Sequence, residues 1–303
     1  MRISGFSFAR NAVKFYYPVV QSIRSILPIV DEFIIAVGKG DRDDTTREAV
    51  ASIGDPRIRI LDTVWEKVED LKGRVHSEQT NIALRECTGE WCVYLQADEV
   101  VHEEDLPRIK ARCEQLLEDR RVEGFLFDYL HFWGDYEHYQ PGHGWYRNEI
   151  RIIRNGLGIR SWNTAQSFRL PDERKLCVAR ANARIFHYGW VRPPRSMHRK
   201  IVAFTATHQG RTPAEAVAGG VAGAVFDFGP LGRLPVYKGT HPAVMDTCIA
   251  GMDWRDGLRL VDPPVVRRGF HKDERFKYRI LSAIERGTGL DLNHRSYRRV
   301  LKV

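Results

Sequence analysis

The sequence lacks the long apolar segments of membrane proteins and the cysteine patterns of zinc and disulfide proteins. No run of about 18 apolar residues occurs, so we expect no transmembrane helix. Residues 1–6 are typical of a strand and lack the apolar block of a signal peptide. The five cysteines are odd in number and form no CxxC pair, which predicts reduced thiols and no zinc site. We therefore expect a cytoplasmic protein.

Two glycine motifs of nucleotide-binding proteins are also missing. No GxGxxG follows the first predicted strand, and no GxxxxGK[ST] occurs. These absences argue against a dinucleotide-binding Rossmann site and against a P-loop. The chain also shows no internal repeat, which argues against a solenoid or propeller.

The bulk composition is that of an ordinary globular protein with a basic balance. The 303 residues suffice for one large α/β domain or two smaller ones. The formal net charge of +8 favours phosphorylated ligands, anionic membrane surfaces or nucleic acid as partners. Basic clusters at 267–268 and 295–299 predict a solvated basic tail.

Apolar strands alternate with helical segments through the first half of the chain. Alternation with short connections predicts right-handed crossovers and a parallel sheet. The predicted strands are 3–8, 33–37, 57–61 and 91–95, and the predicted helices are 17–27, 48–53, 79–88 and 106–117.

The strand at 91–95 is followed at once by the carboxylates Asp98 and Glu99. Ligand sites of open α/β sheets lie beyond the carboxyl ends of the strands, which predicts that both carboxylates line a cleft. Paired carboxylates there can hold a hard divalent cation and, through it, phosphate oxygens. The alternative is that they cap the helix that follows.

The second half changes character. A strand at 124–130 precedes an aromatic- and histidine-rich loop at 131–146, and 150–154 alternates like an edge or hairpin strand. A further strand is predicted at 183–188 and a helix at 195–208. Residues 213–223 are rich in alanine and glycine, which predicts either a mobile lid over a bound ligand or a buried small-residue helix. The last eighty or so residues show little periodicity.

Several short motifs follow one another along the chain: Arg10-Asn11, Val30-Asp31-Glu32, Asp41-Arg42-Asp43-Asp44-Thr45, Gln79-Thr80-Asn81, Thr88-Gly89-Glu90-Trp91 and Gln96-Ala97-Asp98-Glu99. Their order resembles a family 2-like glycosyltransferase with the GT-A fold, over residues 1 to about 190. Two later motifs resemble those of a bacterial branch of that family: His187-Tyr188-Gly189-Trp190-Val191-Arg192 and Gly239-Thr240-His241-Pro242. The resemblance implies a mostly parallel, Rossmann-like α/β sheet flanked by helices, with a C-terminal helical or irregular extension. It divides the chain into a nucleotide-sugar-binding and catalytic core at 1–190 and an acceptor-side extension at 191–303.

The same resemblance implies a set of site residues. The family's Asp-x-Asp motif falls on Gln96-Ala97-Asp98, so only its second acid is kept, and His187 matches a further metal ligand. A divalent cation, Mn²⁺ or Mg²⁺, is therefore expected at Asp98 and His187. Where the family's second strand often ends in an aspartate that reads the nucleotide base, this chain has Gly38. The residues implied in nucleotide-sugar binding are Arg10, Asn11, Asp43, Asp44, Arg74, Asn81, Gln96, Asp98, Lys200 and His241.

The chemistry of sugar transfer assigns roles to further residues. A cation at the site would neutralise the leaving diphosphate as a Lewis acid, and Arg10, Lys72, Arg74 and Lys200 are candidates to share that load. An inverting enzyme needs a general base, for which Asp128 and Glu149 are the candidates, whereas a retaining enzyme needs none. Aromatic residues suit the apolar face of an acceptor sugar, although plain packing is equally compatible with them: Trp133, Tyr136, Trp145 and Tyr146.

The hypothesis is a glycosyltransferase of the hexosyltransferase type. It would move a sugar from a nucleotide-diphosphate sugar to a hydroxyl of a glycan or other acceptor in glycoconjugate biosynthesis. The alternatives are a sugar-phosphate nucleotidyltransferase and a catalytically inactive nucleotide- or glycan-binding protein. We expect no nucleic-acid partner, and we expect peripheral contact with the inner face of a membrane through the basic C-terminus.

Overall fold

The computed structural model describes residues 1–65, 74–209, 225–262, 271–293 and 295–300. Within these ranges a nine-stranded mixed sheet forms the centre. Its strands lie in the spatial order β11 (Arg298–Arg299), β10 (Cys177–Trp190), β6 (Gly124–Trp133), β7 (Asn148–Arg154), β4 (Trp91–Tyr94), β1 (Ile3–Ala9), β2 (Glu32–Gly38) and β3 (Ile58–Thr63), and β5 (Glu99–Val101) pairs with β10. Helices cover the sheet, so the predicted α/β class is confirmed. None of the helices in the described ranges combines the length and apolarity needed to span a bilayer.

The first four long strands run parallel, as the alternating pattern predicts. Strand β1 pairs on one side with β2, which pairs with β3, and on the other side with β4. These strands are β1 (Ile3–Ala9), β2 (Glu32–Gly38), β3 (Ile58–Thr63) and β4 (Trp91–Tyr94). The described helices between them are α1 (Val19–Ile26), α2 (Thr46–Ala51) and α3 (Val75–Arg85).

The remaining strands extend the sheet with mixed directions. Strand β7 is antiparallel to both of its neighbours, β4 and β6, whereas β10 is parallel to β6. The strands of this half are β5 (Glu99–Val101), β6 (Gly124–Trp133), β7 (Asn148–Arg154), β10 (Cys177–Trp190) and β11 (Arg298–Arg299). A separate two-stranded sheet consists of β8 (Arg160–Trp162) and β9 (Ser167–Arg169), and α4 (Leu106–Gln115) follows β5.

Two sequence predictions in this half are wrong in part. Residues 150–154 do not form an edge strand, because β7 lies in the middle of the sheet and every residue of it is buried. The hairpin alternative is confirmed, because β7 pairs antiparallel with β6, the strand that precedes it in the chain. The alternation of arginine and isoleucine is misleading because both arginines, Arg151 and Arg154, are buried through bonds to acceptors inside the protein. The loop predicted from residue 131 begins later, because β6 continues to Trp133.

The C-terminal part is an extension of helices and short 3-10 turns, as predicted. Its helices are α5 (Pro194–Gln209), α6 (Asp246–Ala250) and α7 (Phe276–Thr288). Helix α5 confirms the helix predicted at 195–208, whereas α7 was not predicted. The basic cluster at 295–299 is not simply a solvated tail, because Arg298 donates its backbone N–H to Leu176 as β11 pairs with β10. The predicted lid at 213–223 and the pair 267–268 lie outside the described residues.

Apolar layers on both faces hold the sheet. On one face, α1, α2 and α4 contribute side chains such as Ile23, Val50 and Ile109, which pack with Trp91 of β4. On the other face, α3 and the β8–β9 sheet cover Phe6 and Tyr94. Each fully buried side chain of this size stabilises the fold by roughly 1.5–3 kcal/mol. The turn after β4 is therefore held in place by the packed core on both faces of the sheet.

Candidate active site

Asp98 lies in the turn between β4 and β5, where the backbone is fixed from several sides. The Ser22 hydroxyl of α1 donates to the Gln96 carbonyl at 3.0 Å, and the Tyr188 N–H of β10 donates to the Asp98 carbonyl at 2.8 Å. The residue Asp98 is only 8% exposed. A buried carboxylate is destabilised unless positively charged groups lie near it. Here these groups come from β10 and from the segment that follows it.

Glu99 does not line a cleft, which corrects the sequence prediction for that residue. Its side chain is fully buried and accepts two bonds of 2.7 Å from the guanidinium of Arg151. The Tyr129 hydroxyl donates to the same carboxylate at 2.8 Å, and the Gln96 N–H donates to it at 3.1 Å. Because its carboxylate is neutralised by Arg151, Glu99 stabilises the turn. It is not available as a metal ligand in place of the acid that the family has at the position of Gln96.

His187 faces Asp98 across the end of the sheet. Its Nε2 lies 3.6 Å from Asp98 Oδ2, and its Nδ1 lies 2.9 Å from Nδ1 of His131. His131 Nε2 is 2.8 Å from the Tyr146 carbonyl, which can only accept, so His131 carries its proton on Nε2. Burial lowers the pKa of His131 to about 3, and this ring is therefore neutral. His187 must then donate from Nδ1 to His131, which leaves a lone pair on Nε2 directed toward Asp98 when the ring is neutral.

Two basic side chains, the fully buried Arg192 and the half-buried Lys200, complete the surroundings of Asp98. Arg192 is 0% exposed and donates to the Gly189 carbonyl at 2.8 Å, and the Lys200 ammonium donates to the same carbonyl. Burial disfavours the Asp98 carboxylate, but His187, Lys200 and Arg192 together hold the pKa of that carboxyl below its usual range. Burial and the nearby Arg192 lower the pKa of Lys200 against the opposing effect of Asp98. The site is therefore an ionised carboxylate within a positive setting, which suits an anionic ligand.

Gly189 leaves open the space between Asp98 and His187. A β-carbon at this position would lie 2.6 Å from Asp98 Oδ2 and 2.6 Å from His187 Nε2. Only glycine at this position leaves the space between the two side chains empty. One carboxylate oxygen and one imidazole lone pair point into it, and this donor set suits a transition-metal ion such as Mn²⁺. The residues present therefore fit the divalent cation that the resemblance implies.

The two candidate bases have different surroundings. Asp128 is half-exposed, and its carboxylate accepts from Asn148 and from Arg180, the latter at 2.8 Å. Glu149 is buried on β7, and burial, only partly offset by Arg151, raises its pKa to about 7. Its Oε2 is buried and has no hydrogen-bond partner. Glu149 is thus poised to exchange a proton near neutrality, whereas Asp128 is engaged in an ion pair.

Four of the residues implied in nucleotide-sugar binding converge beyond β1 and β2. Asn11, in the left-handed region at φ 55°, accepts from the Asp41 N–H at 2.8 Å, and its own N–H donates to Asp44 at 3.2 Å. Arg10 donates to the Lys39 carbonyl at 2.9 Å, while Asp43 is exposed and pairs with Lys14. The Asp44 side chain therefore fixes the conformation of the loop after β2. Of the four residues, Arg10 and Asp43 lie nearer to solvent.

The other predicted residues are scattered. Asn81 of α3 bonds the backbone of Ser161, Gln96 donates to the Ala165 carbonyl, and Arg74 is exposed just before α3. His241 is not brought to this site: its ring nitrogens bond the Tyr188 hydroxyl and the Tyr136 carbonyl, on the face of β10 opposite His187. Lys72 lies outside the described residues.

The predicted aromatic residues pack mainly against protein. Trp133 stacks on Trp190 at 4.8 Å, Tyr136 contacts Tyr188, and Trp145 and Tyr146 contact His131. Trp145 and Tyr146 also line a cavity of about 590 Å³ that includes Asp128 and His131.

Sequence reasoning missed the three residues that complete the Asp98 site. Gly189 and Arg192 fall inside the segment that carries the family resemblance, but their roles follow only from where β10 ends. His131 stands directly opposite His187 in the β6–β10 register. The sequence shows a histidine at the end of a predicted strand. Its role could be inferred only by knowing that this strand pairs with β10, which lies far from it in the sequence.

Comparisons with known proteins give distant structural likenesses and no sequence relative. No family model matches the chain, and no curated protein sequence matches it. S. aureus TarS aligns with 67% of this chain at 12% identity and a TM-score of 0.40. Glucosyl-3-phosphoglycerate synthase from M. tuberculosis, in complex with Mn²⁺, UDP and phosphoglyceric acid, aligns with 43% at 18% identity and a TM-score of 0.29. The mannosyltransferase PcManGT from Pyrobaculum calidifontis, in complex with GDP-Man and Mn²⁺, aligns with 52% at 14% identity and a TM-score of 0.35.

The aligned regions span less than half of each of those chains, namely 39%, 43% and 45%. Likenesses this distant carry no assignment of activity, substrate or residue role to this chain.

Proposed function

We propose that this protein is a nucleotide-sugar-dependent glycosyltransferase of the hexosyltransferase type, acting in glycan or glycoconjugate biosynthesis. The observation that carries the proposal is the pairing of Asp98 with His187 across the space at Gly189, beside the basic side chains of Arg192 and Lys200. A carboxylate that stays ionised among cations is suited to a metal-bound diphosphate.

Asp98 and His187 would hold the divalent cation, which when bound supplies Lewis-acid stabilisation of the leaving diphosphate. His131 holds the imidazole of His187 in the tautomer that presents Nε2. An outer hydrogen bond of this kind fixes the orientation of a ligand and raises its basicity. The mixed nitrogen and oxygen donor set favours Mn²⁺ over Mg²⁺, which prefers oxygen.

Lys200 and Arg192 supply the remaining positive charge. Both donate to the Gly189 carbonyl, and the Lys200 ammonium lies 5.1 Å from the centre of the Tyr17 ring. A cation fixed in this way stabilises charge that develops on a leaving diphosphate without reorganising during the reaction.

Glu149 is the better of the two candidate bases if the reaction inverts configuration. Its pKa of about 7 suits proton abstraction from an acceptor hydroxyl at neutral pH. The ion pair of Asp128 with Arg180 would have to break before Asp128 took up a proton.

The nucleotide end of the donor is proposed to lie against the loop after β2. Arg10 and Asp43 are the members of that loop cluster nearer solvent, and Asn11 and Asp44 hold its shape. The division into a core at 1–190 and an acceptor-side extension at 191–303 belongs to the same proposal.

A second candidate is a nucleotide-binding protein without transferase activity. It is favoured by Gln96, which replaces the first acid of the metal motif and directs its amide to the Ala165 carbonyl at 3.1 Å. With one acidic ligand in place of two, cation affinity is expected to fall.

A panel of UDP-, GDP- and dTDP-sugars with MnCl₂ tests both candidates through release of the nucleoside diphosphate. Transfer is expected to release it with at least one donor, and Asp98→Asn and His187→Ala are expected to abolish the release. His102→Gln serves as a matched buried histidine, because its Nε2 bonds Thr240 and lies away from the Asp98 pair. Binding of a nucleoside diphosphate without turnover of any donor would favour the second candidate, and loss of activity in His102→Gln alone would contradict the assignment of the site.

A further inference from the structure

Helix α7 turns an apolar stripe outward. Phe276, Ile280, Ala283, Ile284 and Gly287 follow the helical spacing of one face. Phe276 is 78% exposed, and Ile280 and Ile284 are each 43% exposed. A surface helix normally turns such residues toward the core. In α7 they point outward, and this face has no apolar partner among the described residues.

The opposite face of α7 is fixed to the protein. Ser282 accepts from the His143 N–H at 2.8 Å, and Glu285 accepts from His143 at 3.1 Å and from Arg147 at 3.1 Å. The Tyr278 ring packs against the His143 ring, with centroids 5.7 Å apart. These contacts prevent the helix from rotating to bury its stripe, so the outward orientation is built into the fold.

Cations flank the stripe on both sides. At 100° per residue, Lys277 lies at one margin, and Arg279 and Arg286 lie at the other. All three side chains are exposed, and none forms an ion pair with a residue that the structure describes. The only acid of the helix is Glu285, which is 1% exposed and neutralised on the inner face. The outward face is therefore apolar at its centre and purely cationic at its edges.

A groove continues this face. It has a volume of about 1030 Å³ and lies between α7 and the segments at 140–142 and 233–235. Phe276, Ile280 and Ala283 line it from the helix, and Leu234 and Pro235 line it from the other side. Arg233 stands at its rim, where its charge is balanced by Asp262 and Glu274, so within the described part of the chain the unpaired cations of this surface are those of α7.

We propose that this surface, the α7 stripe with its flanking cations, docks the protein onto an anionic lipid bilayer. Phe276, Ile280 and Ile284 enter the boundary between headgroups and acyl chains, and Lys277, Arg279 and Arg286 reach the lipid phosphates. Long cationic side chains at the margins of an apolar helix face suit this boundary, because their stems lie along the apolar surface and their heads stay in water. The net charge of +8 adds a general attraction to anionic membranes.

A second copy of the chain is a poorer occupant of the same face. In a two-fold interface the same patch meets itself, so the three cations of one α7 would face the three of the other. Like charges brought together in this way disfavour the pairing. An anionic bilayer instead matches both the apolar centre and the cationic margins.

Vesicle co-sedimentation of the full-length protein tests the proposal without reference to glycosyl transfer. The vesicles are phosphatidylcholine alone and phosphatidylcholine with an equal part of phosphatidylglycerol. The wild type is expected to partition onto the anionic vesicles and to be released by salt. Phe276→Ser/Ile280→Ser and Arg279→Gln/Arg286→Gln are each expected to weaken that partitioning about tenfold or more.

Matched controls lie at the far edge of the sheet. Val64→Ser removes an exposed apolar side chain after β3, and Arg47→Gln/Arg59→Gln removes two exposed arginines on that side. Both controls should bind like the wild type, and thermal unfolding should show that all variants are folded. The proposal is overturned if the wild type ignores anionic vesicles, or if the α7 variants bind them as well as the controls do. It is also overturned if sedimentation shows a dimer that Phe276→Ser dissociates and that vesicles do not compete for.

Discussion

Gly189→Ala is the sharpest perturbation of the proposed metal site, because it fills the space between the two ligands without removing either. The added β-carbon would lie 2.6 Å from both Asp98 Oδ2 and His187 Nε2, whereas ordinary contact begins near 3.4 Å. Each ligand atom would therefore have to retreat by about 0.8 Å, and metal–ligand distances tolerate only about 0.2 Å. We expect at least one bond to the cation to be lost and Mn²⁺ affinity to fall about 100-fold or more, since losing even an outer hydrogen-bond partner costs roughly 10–100-fold.

The assay is calorimetric titration of Mn²⁺ in the presence of a nucleoside diphosphate. Gly287→Ala is the matched control, because a β-carbon there meets no atom within 4 Å. Gly287 lies in the last turn of α7, where this change should stabilise the protein by less than about 1 kcal/mol and leave Mn²⁺ binding unchanged. Thermal unfolding of both variants separates loss of the site from loss of the fold.

Two results would refute the reasoning. Wild-type Mn²⁺ affinity in Gly189→Ala would show that Asp98 and His187 do not bind one ion together. Absence of Mn²⁺ binding by the wild type with every nucleoside diphosphate tried would show that the site does not hold a cation at all.

Three further predictions follow from the contacts around the site. His131→Phe removes the partner that orients His187, so Mn²⁺ affinity measured by the same titration should fall roughly 10–100-fold. Glu149→Gln should stabilise the protein by up to about 3 kcal/mol near pH 8, because the pKa of this carboxyl rises from 4.5 to about 7 on burial and the wild type loses stability as pH increases through that window. Arg151→Met leaves Glu99 buried without its counter-charge and should cost about 3–5 kcal/mol in urea unfolding.

Each of these predictions has a control or a contradicting outcome. His102→Gln should keep Mn²⁺ affinity, and an equal loss there would mean that His131→Phe acts through general destabilisation. For Glu149→Gln the stability difference should vanish below about pH 4.5, where both forms are uncharged in the folded and unfolded states. A stability difference between Glu149→Gln and the wild type that does not depend on pH would contradict the raised pKa of the buried Glu149 carboxyl. The double variant Glu99→Gln/Arg151→Met should recover most of the lost stability, and failure to do so would show that the cost of Arg151→Met is steric.

The parallel half of the sheet was predictable from the sequence because its strands carry local signals. β1, β2 and β4 are near-continuous apolar runs ended by polar turns, which a strand buried on both faces requires. The position of Asp98 beyond β4 followed from the same signal. What could not be predicted was the fate of Glu99, because its partner Arg151 lies 52 residues further along the chain.

Helix α7 was missed for a different reason. A helix is recognised in a sequence when its apolar residues recur at the spacing of one helical face between clear start and stop signals. In α7 the inner face is held by polar contacts of Ser282 and Glu285, while Phe276 and Ile280 point outward. The sequence pattern was present, but the surrounding glycines and charges resembled an irregular segment.

The central position of β7 has a consequence for how the chain folds. β7 joins β4 to β6, so before Arg154 has been synthesised the edges of both strands are unpaired. At a synthesis rate of roughly 5–20 residues per second, the 60 residues that separate Tyr94 from Arg154 take about 3–12 s to appear. During that interval the nascent chain carries an open, apolar strand edge, which is a template for pairing with other chains. We therefore expect C-terminal truncations that end before residue 148 to aggregate, and we expect the full chain to depend on chaperones most strongly at this stage of its synthesis.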